Sequence, residues 1–131
     1  MHWRLRFCPM KATSASRQSG ARSSSRRAQT RVLSEMRLFF FGMGYSSRAT
    51  ARALHLLADP QIPVAGTTRS AEAAESEADS AYRIHVFDGE VPGTTLSEDL
   101  RAATHVILSI PPDERGDAAL NLHRADLDAA P

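Results

Sequence analysis

From residue 37 onward the chain alternates between short apolar runs and stretches whose apolar residues recur at helical spacing. Arg37-Leu38-Phe39-Phe40-Phe41 is a continuous apolar run behind one arginine, closed by Gly42-Met43-Gly44. Its length, aromatic content and glycine stop predict a strand buried on both faces, the kind found in parallel sheets. Ser46 through Asp59 follows, with Ala49, Ala53, Leu54, Leu56 and Leu57 at helical spacing and Asp59-Pro60 as a stop. Ile62-Pro63-Val64-Ala65-Gly66-Thr67 predicts a second strand. Pro63 lacks a ladder donor, so it belongs at that strand's beginning.

Ser70 to Ala81 is rich in Ala and Glu, with Ser70 placed to cap a helix and acids in its first turn. Arg83-Ile84-His85-Val86-Phe87 alternates and predicts a third strand, ended by Asp88-Gly89. Beyond Pro92-Gly93, Leu96–Ala103 predicts a helical turn capped by Thr95 or Ser97. Thr104 to Ile110 predicts a fourth strand closed by Pro111-Pro112. Residues 117–129, with Asp117, Leu120, Leu122 and Leu127, begin another helix. The order β-α-β-α-β-α-β-α predicts an α/β fold, a Rossmann-type doubly wound parallel sheet with helices on both faces. Such a sheet ordinarily continues past four strands, so the expectation is of one truncated after the fourth. An uncovered edge would favour self-association.

Composition changes this picture at one end only. The 131 residues suit one domain, and the net charge of +1 hides an asymmetry. Residues 1–31 hold eight basic residues and no acidic one, while the remainder holds eight basic and fifteen acidic. The basic arm is rich in serine and has no sustained apolar periodicity, so residues 1–35 are expected to be a disordered extension and 36–131 the folded domain. Three readings of the arm stand side by side. It has the Arg-rich, Ser-rich, acid-poor composition of an organellar transit peptide. Its charge suits phosphates, although without interleaved aromatics or a nucleic-acid fold no nucleic-acid partner is expected. It is also what an upstream extension of the reading frame looks like, with Met36 as the start. The last reading goes with a cytoplasmic protein, the first with an organellar one. No run of eighteen apolar residues exists to span a bilayer. One cysteine, Cys8, excludes an internal disulfide framework and a cysteine-rich zinc site.

The chemistry lies in Gly42-x-Gly44-x-x-Ser47, between a predicted strand and a predicted helix. In a nucleotide-binding turn the first glycine permits the tight turn, and the second lets backbone approach a pyrophosphate. A small third residue lets the helix pack closely on the strand. The helix N-terminus then offers amides and positive dipole to the phosphates. After the second strand, where an acidic residue would hold a ribose 2′-hydroxyl, the chain has Thr67-Thr68-Arg69-Ser70. A guanidinium flanked by hydroxyls suits a 2′-phosphate, so NADP is the expected cofactor and NAD the alternative. Arg48, early in the first helix, is a further candidate from the opposite side, or a solvated surface charge.

From Met36 onward, MRLFFFGMGYSSRATARAL, VAGTTRS, VFDGE and ATHVILSIPPDERGD resemble the atypical extended short-chain dehydrogenases/reductases, relatives of the epimerase/dehydratase proteins. The resemblance covers about three quarters of the chain and only the N-terminal portion of that fold. It implies that Gly42, Gly44, Tyr45, Ser46 and Ser47 line the pyrophosphate. It implies that Asp88 holds the adenine edge and that Ser109, Ile110 and Pro111 pass near the ribose and nicotinamide. The spacing departs from the GxxGxxG usual in extended members. The family's Tyr-x-x-x-Lys is missing: neither Tyr45 nor Tyr82 has a lysine four residues on, and the only lysine is Lys11. No catalytic residue is therefore assigned, because a lysine-assisted tyrosine cannot be assembled from these residues.

His55, His85, His105 and His123 fall on different predicted elements and read as surface or strand-end histidines, with no metal site expected. The expectation is thus the NAD(P)-binding domain of an oxidoreductase or epimerase with an unspecified small-molecule substrate. Two alternatives remain. One is a non-catalytic module that senses NADP(H). The other is the Rossmann domain of a β-hydroxyacid-dehydrogenase-like reductase, which the strand THVILSIPP also suits.

Overall fold

The computed structural model describes residue 31 and residues 35–77 and 81–131. Among the described residues from Leu38 onward, four strands, β1 (Leu38–Phe41), β2 (Val64–Thr68), β3 (Arg83–Val86) and β4 (His105–Leu108), alternate with four helices. The helices are α1 (Tyr45–Leu57), α2 (Ala71–Glu75), α3 (Ser97–Ala102) and α4 (Ala118–Asp128). The strands form one sheet in the order β3-β2-β1-β4, with every pairing parallel. Leu38 stands opposite Val64 on one side and His105 on the other.

The apolar run in β1 is continuous because both faces of the sheet are covered. Side chains alternate across a strand, so Phe39 and Phe41 enter one layer and Leu38 and Phe40 the other. The first layer joins them to Phe87, Leu96, Leu100, Ala103 and Ala119, under α3 and α4. The second joins Leu38 and Phe40 to Met43, Ala51, Ile62 and Val64, under α1. The fold is therefore α/β and doubly wound. The outer strands β3 and β4 leave Val86 and Leu108 42% exposed.

Several expectations change in detail. The second strand starts at Val64, and Pro63 lies just before it, its carbonyl accepting from the Leu38 N–H at 2.9 Å. The helix expected over 70–81 runs only from Ala71 to Glu75, with residues 78–80 outside the described ones. It buries no residue, so packing does not extend it. Neither Thr95 nor Ser97 caps α3, whose cap position is Leu96. Both hydroxyls bond across the tertiary structure instead, to His85 and Asp126. His85 and His123 are buried and partnered, not surface histidines, and His123 sits at a kink inside α4 (φ −125°, ψ 22°). Expectations for the basic arm fall mostly on residues 1–30 and 32–34, outside the described ones. Among the described residues no helix is long and apolar enough to cross a membrane.

Candidate functional site

The chain winds from β1 outward through β2 to β3, then returns to place β4 on the other side of β1. At such a switch point the loops leaving adjacent strands diverge and open a crevice at the strands' carboxyl ends. A cleft of about 460 Å³ lies there. Gly42 to Ser47, Thr67 to Arg69, Phe87 and Ser109 to Pro111 line it.

Its floor is the glycine turn. Gly42 has φ +92°, a conformation that favours glycine, and a Cβ there would lie 3.0 Å from Ile110 Cγ2 and crowd it. The turn is clamped from two sides. The Gly42 N–H donates to Thr67 Oγ1 at 2.9 Å, and the Met43 N–H to the Thr67 carbonyl at 2.7 Å. The Ser47 hydroxyl donates to the Gly42 carbonyl at 2.7 Å.

Gly44 differs in kind. Its φ of −78° is open to any residue, and a Cβ built on it meets nothing within 4 Å. Neither backbone strain nor the protein's own packing calls for glycine there. Gly44 is also the N-cap of α1, which has no side-chain cap and no acid in its first turn. By contrast, Ser70 caps α2, Asp117 caps α4, and α3 carries Glu98 and Asp99. A thirteen-residue helix thus points uncapped amides and an uncompensated dipole end into open space.

Of the residues singled out from sequence, Gly42, Gly44, Tyr45, Ser46, Ser47, Thr67, Arg69, Ser109, Ile110 and Pro111 meet around this cleft. Thr67 and Ser47 are buried and hold the turn from beneath. Arg69 is exposed at the β2 end and has no ion pair among the described residues. Three candidates fall outside. Arg48 turns away to Glu77, at 2.9 Å. Ser70 accepts from the Ala73 N–H as the cap of α2. Asp88 lines a smaller hollow of about 210 Å³ that shares Arg69, Phe87, Ile110 and Pro111 with the main cleft.

Sequence reasoning missed what closes that hollow. Arg115, in the loop after β4, grips both oxygens of Glu90 at 2.9 and 2.8 Å and Asp113 at 2.9 Å. Hydrogen bonds from its guanidinium, reinforced by its charge, hold both carboxyls below their usual range. The loops after β3 and β4 are thereby tied together. The chain order offered no signal for this pairing, because Glu90 and Arg115 lie on different loops.

No family model matches the chain, and neither a curated protein nor a solved structure matches it significantly. Fold and site together define a doubly wound α/β protein with a glycine-floored cleft at its switch point.

Proposed function

We propose that this chain binds a dinucleotide, NADP(H) in preference to NAD(H), as the cofactor-binding portion of a short-chain-dehydrogenase-like oxidoreductase or epimerase. The observation that carries this reading is Gly44: a glycine that the protein's own packing does not need, at an uncapped helix start, facing empty cleft. A Cβ there would occupy the place a phosphate takes when it approaches helix amides. Residues 44–46 would hold the pyrophosphate. Arg69 would take the 2′-phosphate, since it forms no ion pair among the described residues and its neighbours Thr68 and Ser70 contribute no opposing charge. Bound nicotinamide supplies hydride transfer. This chain's residues orient the ligand, and Phe87, Ile110 and Pro111 give the cleft its apolar walls.

The test is a titration of NADPH and NADH against wild type and Arg69→Ala. NADPH binds at least about tenfold more tightly to wild type, because a charge-assisted contact contributes on the order of 1–3 kcal/mol. The variant loses that margin and keeps its NADH affinity. Equal wild-type affinities, or a margin that survives the substitution, would leave Arg69 a solvated loop charge.

A further inference from the structure

Away from the cleft, a hydroxyl, an imidazole and a carboxylate are joined in series. His85, on β3, is 8% exposed, and the ring of Phe39 stacks on it at 6.3 Å and 21°. Its Nε2 lies 2.8 Å from Asp99 Oδ2, and its Nδ1 lies 3.0 Å from Thr95 Oγ1. Arg83 donates to the other Asp99 oxygen at 2.9 Å. A carboxylate only accepts, so Nε2 carries the proton of the neutral ring and Nδ1 presents its lone pair. The Thr95 hydroxyl therefore donates to Nδ1. Its oxygen keeps lone pairs for what arrives from solvent, because Thr95 is exposed. None of the three residues lines the cleft described above.

Two other histidines show what the full series adds. Thr104 Oγ1 lies 2.9 Å from His105 Nδ1, but it also bonds the Arg37 N–H and carbonyl. His105 has no carboxylate partner among the described residues. His123 has its carboxylate in Asp126, but its other nitrogen is taken by the Gly93 amide. Of these three, the His85 group alone sets an exposed hydroxyl on one ring nitrogen and a carboxylate on the other. That is the arrangement of an activated nucleophile. The geometry points to Thr95 as a nucleophile for acyl transfer, with His85 as general base and Asp99 as the residue that positions it. Glu98 and Asp99 stand in the first turn of α3 just beyond, so an anionic donor is repelled. The substrate class is an uncharged, activated acyl ester. In the step, Thr95 Oγ bonds to the acyl carbon while its proton passes to Nδ1. The bond from that carbon to the leaving oxygen breaks, and Nδ1 returns the proton to that oxygen. The products are Thr95 bearing the acyl group and a free alcohol.

The test exposes the 131-residue chain to p-nitrophenyl acetate and maps acetyl groups by mass spectrometry after cleavage at arginine. Residues 84–101 then form one peptide holding Thr94, Thr95 and Ser97, and the only lysine, Lys11, lies on another. Thr94 is the internal reference, exposed and joined to no histidine among the described residues. Thr95 is expected to gain acetyl about a hundredfold faster than Thr94, the lower end of what general-base assistance supplies. Asp99→Asn cuts that ratio about tenfold or more, because an amide can hold the ring in the wrong tautomer. His85→Gln brings the ratio near one, whereas Thr95→Ser keeps the fast site and Thr95→Val abolishes it. A variant that merely loosened the fold would change both threonines together, so the ratio reports activation itself. Equal labelling of Thr94 and Thr95 in wild type overturns the inference, as does the absence of label on Thr95. A fast Thr95 that survives either Asp99→Asn or His85→Gln overturns it too, because the hydroxyl would then owe nothing to the series.

Discussion

The start of α1 and the middle of α4 are both polar places against an apolar core, and they differ in what their polar groups meet. In α4, His123 is 2% exposed and both ring nitrogens are partnered. Nε2 accepts from the Gly93 N–H at 3.0 Å, so Nδ1 carries the proton toward Asp126 Oδ2, also at 3.0 Å. Asp126 accepts further from the Ser97 hydroxyl at 2.8 Å and from Arg101 Nε at 2.7 Å. The rings of Phe41 and Phe87 pack around the imidazole at 5.9 and 5.2 Å. Nothing is left to bind a ligand. The turn before α1 is equally well clamped from beneath by Thr67 and Ser47, yet the helix start above it is uncapped and faces open cleft. A buried polar cluster that is fully partnered rigidifies the fold, whereas a rigid turn carrying open donors is prepared for something from outside.

This contrast can be broken from either side. His123→Ala should have the largest effect, about 3 kcal/mol or more of lost stability by urea denaturation. It leaves a cavity, the Gly93 amide and one side of Asp126 unpartnered at once. Gly44→Val should do the reverse. Unfolding should shift by only about 1 kcal/mol, the cost of a branched apolar residue at a helix N-cap, because the site has ordinary φ and free space. NADPH affinity should nevertheless fall about a hundredfold, since a branched side chain would fill the approach to the α1 amides. A large loss of stability in Gly44→Val would mean that the glycine serves the fold after all.

The smallest effect concerns acid. Hydrogen bonds from His123, then Ser97 and Arg101, hold the Asp126 carboxyl below its ordinary value of 3.8 against the opposing pull of burial. A carboxyl with a depressed folded pKa contributes stability that is complete above the unfolded value and lost as pH falls through the folded one. Wild type should therefore lose this contribution only below about pH 4. Asp126→Asn should be less stable at neutral pH and show a flatter acid limb. Parallel acid limbs in the two proteins would show that Asp126 contributes nothing through its charge.

How much of this was legible in the chain follows from the range of each signal. Leu38–Phe41 as a doubly covered strand, Gly42 as an obligatory turn residue, and Ser70 and Asp117 at helix starts all depend on neighbours within a few residues. Local patterning reports these because local sterics and burial cause them. The partner of Arg48 carried no such signal, since Glu77 stands beyond a strand and a whole short helix. His123 was misjudged because Leu120, Leu122 and Leu127 by themselves could equally have left it on the outer face.

By itself, then, the amino-acid order determined the alternation of strands and helices, the parallel sheet and the place of the glycine turn. Each is the response of a short segment to its own apolar period and glycine content. Only the tertiary structure decided the state of the polar groups. It set Thr67 beneath Gly42, brought the Ser47 and Ser109 hydroxyls within 3.0 Å, left Arg69 without an ion pair among the described residues and closed His123 between Gly93 and Asp126. Those partners lie 25, 62, 30 and 3 residues apart for the four bonds named. A hydrogen bond forms only where folding brings donor and acceptor within about 3 Å in the right direction, and apart from the short His123–Asp126 step no local pattern encodes such a meeting.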